Sequence, residues 1–297
     1  MRLLSNPTLR LFIGASLISL SPVWVKLVSV SPTTSAFWRL AIGGLVIAAY
    51  LLLTRRRLHF SNGVWAVIVL AAVFLAADLW FYHRSIQFIG PGLSTLIANF
   101  QVFVMAAAGL VILREPPTAR QLVAIPLALF GLALIVGIDW QSLAVEYRTG
   151  IIFGLGAAVT YAAYLLCMRH SRRDSTDPVP SREIAIVSLV GAAILGAAAL
   201  VEGEALAITH RGDVTWLVCY GVLSHGVGML FITSSLPHVT TTQAGLALLL
   251  QPTLSFAWDV LFFARSMTMV ELCGAAIALF AIYLGSRSRS EQAQRAR

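Results

Sequence analysis

The sequence predicts an all-α membrane protein with ten transmembrane helices in two inverted five-helix repeats and both termini in the cytoplasm. Three observations predict it. Of 297 residues, 58% are hydrophobic and only 11% charged, against roughly 25% charged in a soluble domain. So few charges cannot cover a water-facing surface of ordinary polarity, and the mean hydropathy of +0.84 agrees. Apolar runs near the roughly 20 residues that carry a helix through a bilayer core recur ten times, with short gaps. Basic residues crowd into alternate loops. The strict polar/apolar alternation of a membrane β-barrel is absent.

The ten runs are 9–30, 33–53, 62–82, 90–113, 118–138, 149–168, 182–201, 213–235, 240–263 and 268–286. The first follows Arg2 and Arg10 as a signal peptide would, but it exceeds a signal core of about 7–15 residues and reads as a membrane helix. Pro22 interrupts it beside Trp24 by removing a backbone donor. The second run carries Arg39. The third ends in ADLWFYHRS, the densest polar cluster of the chain. Asp78 and Tyr82 there share a helix face, four residues apart. Trp80 and His83 point elsewhere and sit nearer the boundary, where aromatic side chains gather.

The fourth run holds Asn99, Phe100 and Gln101, and the fifth follows Glu115 and a short turn. Tyr161 and Tyr164 share a face of the sixth. In the eighth, His225 lies within SHGVGM among glycines that permit close packing. An imidazole titrating near pH ~6.5 could also relay a coupling proton. The ninth contains Gln243 and Gln251, and Pro252 frees a carbonyl one turn earlier. Cys167, Cys219 and Cys273 have no metal or redox spacing and read as small packing residues.

Fifteen of the 21 basic residues flank one set of loops and the termini. Arg84, Arg148, Arg211 and Arg265 belong to the alternate loops, and Lys26 and Arg39 lie inside helices. This asymmetry places both termini in the cytoplasm. Runs such as Arg55-Arg56-Arg57 then set topology and meet lipid headgroups, not nucleic acid.

The segments IANFQVFVMAAAGLVILREPP (97–117) and ALLLQPTLSFAWDVLFFARSM (247–267) align when Gln101 is set against Gln251. Without gaps, Ser85 then meets Ser235, Thr118 meets Thr268 and Ala128-Leu129-Phe130 meets Ala278-Leu279-Phe280. The repeat unit is five helices, giving halves at 1–147 and 148–297. An odd number sends the second copy through the membrane in the opposite sense, the plan of secondary transporters with a midplane site between the halves.

The segments LREPPTARQLVAIPLALFGLALIVG, GIIFGLGAAVTYAAYLLCMR and SPTTSAFWRLAIGG resemble the drug/metabolite transporter superfamily, EamA type. The resemblance spans essentially the whole chain. It implies two EamA repeats and transport of small organic solutes, frequently amino acids and frequently outward, in a bacterial inner membrane. It also implies an acidic residue ending the fourth helix, here Glu115, which reads as a helix-end structural residue. The second repeat departs at Arg265, where an acidic residue would stand.

Polar groups inside membrane helices are costly unless they face protein or water. Trp24, Asp78, Tyr82, His83, Asn99, Phe100, Gln101, Tyr161, Tyr164, His225 and Gln251 are therefore the candidate substrate-binding residues. Amides can meet both ends of a zwitterion, and aromatic faces suit an amphipathic solute. No P-loop, HExxH or GxSxG motif is present, which argues against catalysis and ATP-driven transport and implies no cofactor. A drug or quaternary-cation exporter relying on Asp78 is the first alternative. An intramembrane lipid-modifying enzyme is the second.

Overall fold

A computed structural model describes residues 6–54, 60, 62–136, 145–173, 179–263 and 268–286. The Arg55-Arg56-Arg57 run and Arg265 lie outside the described residues, as do the side chains of Lys26 and Asp259. Every regular element among the described residues is helical: α1 (Pro7–Ser19), α2 (Ser21–Leu27), α3 (Pro32–Leu53), α4 (Asn62–Ala98), α5 (Gln101–Val111), α6 (Ala119–Val136), α7 (Val145–Ser171), α8 (Ser181–Val201), α9 (Arg211–Cys219), α10 (Gly228–Ser235), α11 (Thr241–Leu248), α12 (Leu250–Phe263) and α13 (Met269–Ser286). A π-helical segment, Tyr220–Val227, joins α9 to α10, and a short 3₁₀ turn, Leu236–His238, follows α10. Among the described residues six helices are long and apolar enough to cross a membrane: Pro7–Val25, Pro32–Leu53, Gly63–Ile89, Glu146–Ser171, Ser181–Val201 and Arg211–His238. Shorter apolar helices cover Gln101–Val111, Ala119–Gly131 and Leu272–Gly285.

The interruptions differ from the sequence expectation in instructive ways. The first run breaks at Leu20, so α2 starts afresh with Pro22 in its opening turn, where a missing N–H costs nothing. The third run and the start of the fourth are one helix by backbone bonding, α4, but α4 doubles back. The Ser85 and Ser94 hydroxyls meet at 2.9 Å, and the Tyr82 and Thr95 hydroxyls at 2.7 Å. In a straight helix those pairs would be separated by about 14 and 20 Å of rise. Between Ser85 and Ser94 the sequence runs through Gly90-Pro91-Gly92, residue types suited to a sharp bend.

Two further breaks fall at matched positions of the two repeats: α4 ends at Ala98 and α11 at Leu248, 150 residues on. At the first, Phe100 and Val102 N–H donate three residues back, to Ile97 and Asn99 carbonyls. At the second, Leu249 N–H donates to Leu246 C=O, and Pro252 has no N–H to offer Leu248. Gln101 and Gln251 each stand just past a break.

The principal helix pairs all join one half to the other. α3 packs on α8, α4 on α7, α6 on α13, α5 on α11, and α1 on α10. Glycines bring several of these backbones together. A Cβ on Gly43 would lie 2.6 Å from the Gly221 carbonyl, and one on Gly14 would lie 2.7 Å from that of Gly228. Gly131 crosses α13 beside Gly274 and Ala278 in the same manner. The main apolar core is correspondingly shared, from Leu11, Leu40 and Leu75 of the first half to Tyr164, Ile184 and Ile232 of the second.

Candidate functional site

The centre of the bundle holds a polar and aromatic cluster contributed by both halves. Arg39 lies on the face of α3 that also buries Ala36, Leu40 and Gly43, spaced three and four residues apart. It is 8% exposed. Its Nη1–H donates to the Tyr220 hydroxyl at 3.1 Å, with the guanidinium 4.9 Å from the tyrosine ring centre. Its Nε has no partner. A charged residue at mid-helix costs about 2.5–3.5 kcal/mol on insertion scales, whereas one hydrogen bond to a neutral group returns roughly 1 kcal/mol. Tyr220 alone therefore does not offset the burial of Arg39.

Asp78 and Tyr82 flank the face of α4 that buries Leu75 and Leu79. Tyr161 and Tyr164 lie on the buried side of α7, their rings stacked at 6.0 Å between centres. The charge of Arg39 acts on Asp78, Tyr82, Tyr161 and Tyr164 together. The side chain of Gln251 lies close to Tyr161, and its Nε2 is left without a partner. Asp78, Tyr82, Tyr161 and Gln251 are each half-buried. Asp78 forms neither a hydrogen bond nor a close ion pair among the described residues.

Other candidates are placed differently. His225, fully buried in the π segment, pairs its Nε2 with Ser188 Oγ at 2.7 Å, and its Nδ1 is unpartnered. His83 is buried with an unpartnered Nδ1 and lies within reach of the charges of Arg39 and Arg84. Trp24 Nε1–H donates to Ser224 Oγ at 3.0 Å, and its ring stacks on Trp216. Asn99 turns back on its own helix, donating to Thr95 C=O at 2.6 Å. Gln101 is buried with its carbonyl oxygen unmet. Phe100 belongs to the exposed stripe of α5, with Phe103 and Leu110, and looks away from the cluster. Among the described residues no group of three metal-binding side chains exists.

Both ends of the bundle are tied across the halves. At one end Arg169 clasps Glu115, Nη2 at 2.6 Å and Nη1 at 3.2 Å, and the Thr241 N–H donates to the same carboxylate at 3.1 Å. Beside this pair opens a cavity of about 480 Å³, lined by Val67, Leu166, Arg169, His170 and Arg173 among others. Glu115 is thus a bridge between repeats, more than the end of a helix. At the other end Arg84 pairs with Glu202 and lies 3.5 Å over the Trp80 ring. Trp80 Nε1–H and Thr33 Oγ1–H donate to the same carboxylate, at 2.8 and 3.1 Å. Partial burial pushes the Glu202 carboxyl up, but these hydrogen bonds and the Arg84 charge outweigh it and hold it below its ordinary range. Ser31 to Glu204 and Ser29 to Asp213, both at 2.6 Å, extend the seal. Ser85 Oγ–H donates to Gly150 C=O beside Arg84. From there to Arg169, α7 rises about 28 Å, close to a hydrocarbon core.

Comparison with known proteins agrees with this architecture. The EamA-like transporter family matches residues 8–137 and again 148–287. "Uncharacterized transporter YwfM" of Bacillus subtilis (strain 168) is 24% identical over 267 residues, covering 89% of this chain and 87% of its own. "Uncharacterized inner membrane transporter YhbE" of Escherichia coli (strain K12) is 24% identical over 247 residues, covering 80% and 76%. A solved crystal structure superposes with a TM-score of 0.81 at 18% identity, covering 94% of this chain and 97% of that one, a likeness of fold. With two copies of one transporter module spanning nearly its whole length, the chain belongs to the EamA-like transporter family.

Proposed function

We propose that this protein is an alternating-access carrier that exports amino acids, aromatic ones included, across the bacterial inner membrane. In this reading ten crossings form two inverted repeats, 1–147 and 148–297, with both termini in the cytoplasm. The observation that carries it is the Arg39, Asp78, Tyr82, Tyr161 and Gln251 cluster. It lies between two sealed ends and draws on both halves. The pairing scheme also supports inversion. Exchanging the halves maps α3–α8, α6–α13 and α5–α11 onto themselves and α4–α7 onto the contact of α1 with the helix that contains α10. The basic loops assign the Glu115 end to the cytoplasm and the Glu202 end to the outside.

A zwitterion would enter from one end, lie against the tyrosines, and leave after one seal forms and the other breaks. The partners are thus an amino acid and the bilayer, with His225 as the candidate for a coupling proton. Purified protein in liposomes preloaded with unlabelled amino acids is expected to accumulate labelled phenylalanine by counterflow. Absence of flux for every amino acid would remove this substrate class. The second reading, a cation exporter, draws on the unpaired Asp78. The buried cation Arg39 beside it disfavours that reading.

A further inference from the structure

The central cluster holds a buried guanidinium, Arg39, and a half-buried carboxyl, Asp78, each with unfilled bonding capacity. Arg39 offers five N–H donors in a planar fork, and one of them is used, on Tyr220. Its Nε has no partner. Asp78, within reach of that charge, makes no direct pair with it and keeps solvent-accessible surface. If their role were only to neutralise each other, a direct pair would be the cheaper arrangement, because attraction grows as separation falls. Both therefore keep bonding capacity for a guest that carries the two opposite charges.

We propose that Arg39 and Asp78 are the two poles of the substrate site: Arg39 takes the carboxylate of an α-amino acid in its fork, and Asp78 receives the ammonium. The inference rests on the amino-acid reading above and sharpens it, because it makes both charged groups of the substrate obligatory. A guanidinium matches a carboxylate in a two-pronged geometry that an ammonium ion cannot reproduce. Tyr161, half-buried and backed by the stacked, fully buried Tyr164, supplies a wall for the side chain. Gln251 Nε2, unpartnered beside Tyr161, adds a donor to the cluster.

The test uses the full chain in liposomes and three probes of one shape: phenylalanine, its decarboxylated amine phenethylamine, and its deaminated acid 3-phenylpropionate. On the wild-type protein each single-charge probe is expected to compete with labelled phenylalanine roughly tenfold or more weakly, the loss of one charge-assisted contact. Arg39→Gln should lose phenylalanine and come to favour phenethylamine. Asp78→Asn should shift preference towards 3-phenylpropionate. Arg39→Lys should recover part of the phenylalanine affinity. Equal competition by either single-charge probe on the wild type overturns the proposal even if a variant fails to fold. Phenylalanine binding undiminished in Arg39→Gln overturns it as well. Absence of wild-type counterflow for all amino acids removes the underlying substrate class instead, so the two failures are separable.

Discussion

Arg39 shows how far single residues could be read in advance. From the sequence it was one basic residue in an outer half-helix, which snorkelling along the α3 surface would accommodate. The fold puts it inward, because α3 buries the stripe containing Ala36, Leu40 and Gly43 against the second half. Spacing along α3 alone could not reveal that face, since nearly every neighbour is apolar. Asp78 was legible for the opposite reason, being acidic and well inside an apolar run. Glu202 was not legible at all, because its partners Trp80, Arg84 and Thr33 lie more than a hundred residues away. Its carboxyl is held below the ordinary glutamate value of about 4.5. A lowered carboxyl contributes above the unfolded value and loses its contribution as pH falls through the lowered one. The labelling rate of Ser31→Cys by an impermeant maleimide, divided by that of an exposed Gly212→Cys control to remove the thiolate's own pH dependence, is therefore expected to stay flat from neutrality down to about pH 5. That ratio should rise only in more acid solution. Glu202→Gln should raise the neutral-pH rate several-fold, and an unchanged rate would remove Glu202 from the seal.

Helices were legible as lengths of apolar sequence, and their interruptions were only partly so. Pro22 and Pro252 announce breaks because proline lacks a donor. The Ala98 break carries no proline and shows only as the repeat partner of the one at Leu248. The π segment gave no signal beyond its glycines and His225. Glycine placement predicts what a methyl group would do. Gly43→Ala would set a carbon 2.6 Å from the Gly221 carbonyl and 2.8 Å from the His225 ring. Overpacking of this kind costs about 1–3 kcal/mol. The thermal midpoint in detergent should fall by several degrees for that variant. It should stay put for Gly212→Ala, where a Cβ would meet open space. Equal midpoints for the two variants would show that the α3 crossing yields.

At the scale of the molecule, composition and repeat were the readable features, because lipid requires long apolar helices whatever they pack against. Which helix meets which was not readable, since nearly uniform apolar surfaces carry little pairing information. If the two ends seal in alternation, locking either should stop transport. Short reducible bis-thiosulfonate cross-links between Arg84→Cys and Glu202→Cys, or between Glu115→Cys and Arg169→Cys, spanning what the long side chains spanned, are each expected to abolish counterflow until reduced. Full activity with either lock in place would contradict the alternation. The matched breaks add a mechanical consequence. Gly245 of α11 packs against Val102 and Met105 of α5, and Leu249 shares a core with Val102, so the two breaks face each other across the pair. α5 and α11 thereby form a short two-helix leaf with both pivots at one level. Glu115 and Thr241 ride together on that leaf, whereas Arg169 is mounted on the frame, α7. Were the leaf to swing about those breaks, as alternating access requires, the bond from Thr241 would travel with it and the arginine clasp would be the one to let go.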